Sequence, residues 1–136
     1  MKILHSFWSK PAFHEQQEYE NSRKFGGWLN YKYFLLSSCY SCLTARRHHK
    51  AIDLYTDSKG YDLFIDMLNL PYNDVSTSLD ELTDKDHQLW VLGKLRAIEQ
   101  QRSPFIHIDN DVFLWDRLPL RSDSSFLIAQ GPVPMP

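Results

Sequence analysis

The feature that most constrains this fold is an alternation of short apolar runs with longer stretches of helical period. Lys2 to Trp8 is apolar and is halted by Ser9-Lys10-Pro11, as a buried strand would be. Pro11 to Gly27 is polar and ends in Gly26-Gly27, which reads as a mobile loop. Trp28 to Arg46 carries Leu29, Tyr33, Leu36, Tyr40 and Leu43 at spacings of three and four, predicting an amphipathic helix with basic residues in its last turn. Ala51 to Thr56 reads as a second strand, and Asp57-Ser58-Lys59-Gly60 has turn chemistry. Tyr61 to Leu70 returns to the helical period, with Pro71 just past its end. Asp74 to Leu79 is a weak strand, and Asp86 to Gln101 a helix ended by Ser103-Pro104. Phe105 to Ile108 is a further strand, and it runs into Asp109-Asn110-Asp111.

That order predicts one α/β domain over residues 1–136, a mainly parallel sheet flanked by helices on both faces in a Rossmann-like arrangement. Ligands of such sheets sit beyond the carboxyl ends of the strands. Three strands here end in polar residues, at Trp8-Ser9-Lys10, Thr56-Asp57-Ser58 and Asp109-Asn110-Asp111. If they are parallel, those ends meet on one edge.

Composition narrows the partners. Lys plus Arg total 15 against 17 for Asp plus Glu, a net charge of −2 that argues against a nucleic-acid binder. The longest apolar stretch, Tyr33 to Leu43, is interrupted by serines and falls short of a membrane span. Met1 to His5 opens no signal peptide, so a cytoplasmic setting is expected. Cys39 and Cys42 have C-X-X-C spacing but lie mid-helix, away from the helix N-terminus that would stabilise a thiolate, and read as buried structural cysteines. His48-His49 read as a solvated helix end.

The sharpest chemical feature is Asp109-Asn110-Asp111 at the end of an apolar strand. Two carboxylates one residue apart offer hard oxygens to Mg²⁺ or Mn²⁺, leaving other coordination sites for phosphate oxygens. A turn in which the aspartates cap the next element is the plainer alternative. His107 is two residues before Asp109, on its face of an extended strand, and suits a core or supporting role better than ligation.

This segment resembles the GT-A glycosyltransferases, whose signature is Asp-X-Asp at the end of a central strand, and within them the DXD sugar-binding-region family and glucosylating-toxin catalytic domains. The opening Ile3-Leu4-His5-Ser6-Phe7-Trp8 is similar to the Ile-His-X-X-Trp of that branch, and Arg96, thirteen residues before Asp109, resembles the Arg of its Asp-X-X-Arg. Gly93 stands where that pattern has Asp, and Arg102-Ser103-Pro104-Phe105 replaces its Gly-Gly-X-Tyr. The resemblance implies metal ligation by Asp111, metal-water and ribose or sugar contacts by Asp109, base stacking by Trp8, and phosphate neutralisation by Lys94 and Arg96. Asp57 would meet the base or ribose, or else cap the following helix. The implied ligands are Mn²⁺ or Mg²⁺ and a nucleotide sugar, UDP-linked rather than GDP-linked, with the acceptor left open.

Only 25 residues follow Asp111, with Asp116 to Ser125 read as loop, Phe126 to Ala129 as a strand and Gly131 to Pro136 as a tail. The expectation is the donor half of a transferase without its acceptor half, and a sheet edge open to a second copy. Two alternatives stand beside it. One is a non-catalytic nucleotide-binding or interaction module. The other is a haloacid-dehalogenase-like phosphohydrolase with Asp109 as nucleophile, disfavoured by Phe113 where those enzymes carry Thr or Val.

Overall fold

The structure, a computed structural model, describes residues 1–14 and 24–119. The expected strand Phe126 to Ala129 and the tail lie outside the described residues. The elements in chain order are β1 (Lys2–Phe7), α1 (Ser9–Phe13), a tight bend (Lys24–Gly27), α2 (Tyr31–His48), β2 (Ile52–Thr56), α3 (Ser58–Tyr61), a π-helical turn (Asp62–Met67), β3 (Asp74–Ser76), a 3-10 turn (Ser78–Leu82), α4 (Val91–Glu99) and β4 (Phe105–His107). The four strands form one sheet in the order β3-β2-β1-β4, and every pairing is parallel. No helix among the described residues is long and apolar enough to cross a membrane.

Because side chains alternate across a strand, β1 divides its residues between two cores. Phe7 joins Phe34 of α2, Leu54, Leu63 and Phe64 on one face. Ile3 on that same face meets Ala45 and Ile52. Trp8 packs with Leu79, Leu82 and Leu92 on the other. Helices therefore cover both faces, as the alternation predicts.

Several boundaries differ from the expectation. The stretch read as a mobile loop from Pro11 contains the end of α1 and the bend at Lys24–Gly27. Helix α2 starts three residues late because Asn30 caps it, its side chain accepting from the Tyr33 N–H at 3.1 Å. The helix expected over Tyr61 to Leu70 is split into α3 and a π-helical turn, and the one expected over Asp86 to Gln101 is regular only over Val91–Glu99.

The orientation of α2 is the largest departure. Tyr33, Leu36, Tyr40 and Leu43, the stripe expected to pack, face outward, and Leu29 just before the helix is 91% exposed. The buried face is Phe34, Ser37, Ser38, Ser41, Cys42 and Ala45. Small side chains let the helix axis approach the sheet closely. Their hydroxyls do not go unpaired: Ser37 and Ser38 donate to the Phe34 carbonyl at 2.9 and 3.0 Å, and Ser41 to the Val112 carbonyl at 2.6 Å.

A polar line runs through the buried face. His5 Nδ1 is 3.0 Å from the Tyr72 hydroxyl, which also bonds the Cys42 thiol. Burial, with His107 adding to it, lowers the His5 pKa to about 4, and burial pushes the Cys42 thiol up to about 11. Both cysteines are free, Cys42 buried and Cys39 partly so, in agreement with a structural role. His49, read as solvated, is buried, and its Nε2 accepts from the Leu118 N–H at 3.3 Å.

Candidate functional site

Parallel pairing carries the ends of β1, β2 and β4 to one edge, as the strand-end pattern requires. The segment leaving β4 stays in register long enough for the Ile108 N–H to reach the Leu4 carbonyl at 3.0 Å, then turns. The turn closes with the Val112 N–H on the Asp109 carbonyl at 3.1 Å, and the Asn110 amide ties it to the Ser38 hydroxyl of α2 at 3.5 Å. Asp109 and Asp111 thus sit on a braced turn with both residues exposed.

Their surroundings are charged and partly dry. Lys94 Nζ from α4 lies 2.6 Å from Asp109 Oδ1, and His107 Nδ1 is 3.9 Å from the same oxygen. On its other side His107 Nε2 is 2.8 Å from the Ser6 hydroxyl. Burial lowers the His107 pKa to about 4; Asp109 opposes that shift and Lys94 adds to it, so the ring is neutral near pH 7. The Asp111 carboxyl is raised from its ordinary value, first by partial burial of the carboxyl and second by Asp109 beside it. Two neighbouring carboxylates, Asp109 raising Asp111, make a site that favours positive charge.

The remaining candidates do not all converge there. Trp8, expected to stack on a base, is 6% exposed and belongs to the core beneath α4. Its place is fixed by Gly93, where a Cβ would lie 2.6 Å from the Trp8 Cβ. The same contact explains why Asp cannot stand at position 93 in this packing. Asp57 is buried with both oxygens engaged: Oδ2 accepts from the Ser9 N–H at 3.0 Å and hydroxyl at 2.7 Å, and Oδ1 from the Gly60 N–H at 2.9 Å. Of its two readings, the cap is the one realised. Arg96 is about 200° around the helix from Lys94, and it pairs with Glu81 at 2.5 Å and Glu99 at 2.7 Å. It does not join the site.

One residue was missed. Trp90, a turn before Lys94, is partly exposed, and its ring lies 5.9 Å from the Lys94 ammonium. The i, i+4 spacing of an aromatic and a lysine was the available signal. Among the described residues no group of three or more His, Cys, Asp or Glu encloses a metal position. A cation here would rest on two carboxylates with its remaining positions open.

A family model described as a family of unknown function, DUF6734, matches residues 1–132. No curated protein and no solved structure matches the chain.

Proposed function

The chain belongs to the DUF6734 family, whose function is unknown, and we propose that it is a glycosyltransferase-like protein binding a nucleotide-sugar donor, UDP-linked rather than GDP-linked, with a divalent cation at Asp109 and Asp111. The observation that carries this reading is the braced turn, which holds two exposed carboxylates at the carboxyl edge of a parallel sheet with Lys94 2.6 Å from the first. Their hard oxygens and mutual repulsion suit Mn²⁺ or Mg²⁺. When bound, the ion supplies positive charge to the diphosphate oxygens.

The chain's own residues divide the remaining work. Lys94, 2.6 Å from Asp109, would offer its ammonium to the phosphates. Neutral His107, braced by Ser6, supports Asp109 from behind without competing for the cation. Trp90 offers the ring on which a base can lie, the role that Trp8 is too deeply buried to take. Among the described residues β4, three residues long, is the last strand on its side of the sheet, which supports pairing with a second copy, and light scattering would register that as a doubled mass.

Calorimetric titration of UDP and of GDP, each with and without Mn²⁺, tests the reading. UDP binding that requires Mn²⁺ and is lost in Asp111→Asn is the expected result. Binding indifferent to both would remove the Asp-X-Asp assignment. The engagement of Asp57 and the burial of Trp8 favour a second reading, a non-catalytic binding module. In that case UDP binds but no donor sugar is hydrolysed or transferred.

A further inference from the structure

The outward face of α2 is apolar, and the sequence around it carries one sign of charge. Leu29, Tyr33, Leu36, Tyr40 and Leu43 form a continuous exposed stripe, and Trp115, 75% exposed, lies against Tyr40 with ring centroids 6.0 Å apart. Between Glu20 and Asp53 there is no acidic residue, while Arg23, Lys24, Lys32, Arg46, Arg47 and Lys50 all fall in that interval of a chain whose net charge is −2. Lys32 flanks the stripe and Arg47 continues its line by four residues, both exposed.

We propose that this face of α2, with Trp115, docks on an anionic lipid surface. A second α2 would set basic residues against basic residues and gain no charge complementarity. A bilayer bearing acidic headgroups matches both halves of the face, taking up leucine and the rings of tyrosine and tryptophan at the boundary while the flanking Lys32 and Arg47 meet the headgroups. Such a helix lies in the interface, which agrees with α2 being unable to span. The rigid turn from Asp109 to Leu114 joins this face to the acidic site: Ser41 bonds the Val112 carbonyl, and Thr44 accepts from the Leu114 N–H at 3.2 Å. Docking would hold the sheet edge at a fixed height above the lipid. The inference stands whether or not a nucleotide sugar is the ligand.

Sedimentation with vesicles of phosphatidylcholine alone, and with about one-third phosphatidylglycerol, tests it on the full chain. The protein is expected to pellet with the anionic vesicles only, to be released by salt, and to show a blue shift of tryptophan emission. Lys32→Glu with Arg47→Glu should weaken binding by on the order of tenfold or more, and Leu36→Ser with Tyr40→Ser should do likewise. All four positions are exposed, and unchanged circular dichroism and melting would show that the variants fold. Failure to pellet with anionic vesicles would overturn the proposal, as would equal pelleting with neutral ones or binding untouched by either pair. A dimer in lipid-free solution that Leu36→Ser with Tyr40→Ser dissociates would also overturn it, assigning the face to a second copy.

Discussion

Gly93→Ala is a test of how closely α4 lies on the sheet. In an exposed helix interior, replacing glycine by alanine stabilises by about 1 kcal/mol, because the unfolded chain loses freedom. Here the new methyl would sit 2.6 Å from the Trp8 Cβ, 3.5 Å from its Cγ and 3.6 Å from Leu79 Cδ1. The nearest of these is the atom that joins the indole to the backbone just after β1, so no rotation of a side-chain end relieves it. The helix must move outward by roughly an ångström, and overpacking of this kind costs about 1–3 kcal/mol. The clash exceeds the propensity gain, and a net loss of about 1 kcal/mol or more is expected. Urea denaturation followed by far-ultraviolet circular dichroism reads this directly, as a lower midpoint at unchanged slope. Since Lys94 is the next residue, displacement of α4 should also lengthen its approach to Asp109. An alanine variant more stable than the parent would refute the packing argument, and with it the assignment of Trp8 to the core.

Other outcomes follow from the same geometry. Asp57→Ala removes three hydrogen bonds at the junction of β1, β2 and α3, so it should cost about 2–4 kcal/mol; UDP affinity of the folded fraction should not change, and a selective loss of UDP binding would restore a ligand role. Lys94→Met should weaken Mn²⁺-dependent UDP binding about tenfold, and Arg96→Met should leave it alone; calorimetry separates the two. Trp90→Ala should reduce affinity for UDP while leaving that for inorganic diphosphate intact. His5 is fully buried, and its folded pKa of about 4 lies below the ordinary 6.5, so its contribution is whole above pH 6.5 and is lost as pH falls towards 4. The loss amounts to about 3 kcal/mol, and a His5→Gln variant whose denaturation midpoint falls as steeply over that interval would contradict it.

The order of elements was legible because strands and helices differ in hydrophobic period, and the strand ends could be placed on one edge from parallel pairing alone. The face of α2 was not legible. A periodic reading scores serine as polar and leucine as buried, yet Ser37 and Ser38 return their hydroxyls to the carbonyl of Phe34 and leave a surface narrow enough to approach the sheet. The burial of Trp8, and which of the two readings of Asp57 is realised, were hidden for a related reason. A position at a strand end says nothing of how near the neighbouring helix lies, and that nearness decides whether a side chain is a platform or a filler. A signal was present in Gly93, since glycine inside a helix is costly unless something presses on it. The π-helical turn over Asp62–Met67 has no residue pattern that distinguishes it from an ordinary helix. The Asp109–Lys94 pair depends on the docking of α4, which spacing along the chain does not give.

The sheet order also bears on how the molecule assembles. β1 and β2 are joined through α2, and β3 is added from the next stretch of chain, but β4 returns to pair Ile106 with Ile3 from the far end of the described sequence. Closing that span is the entropically slowest contact in the sheet, and it is held by the three residues of β4. The acidic turn hangs from this last strand. During synthesis the first three strands can therefore collapse well before a working edge exists, and in the finished protein β4 should be the first strand to come away. Native-state hydrogen exchange would record this as early loss of protection at Ile108, whose amide bonds Leu4, while the ladder between β1 and β2 holds. Ligands that bridge Asp109, Asp111 and Lys94 would then slow exchange at a distance from themselves, by clamping the strand that arrives last and leaves first.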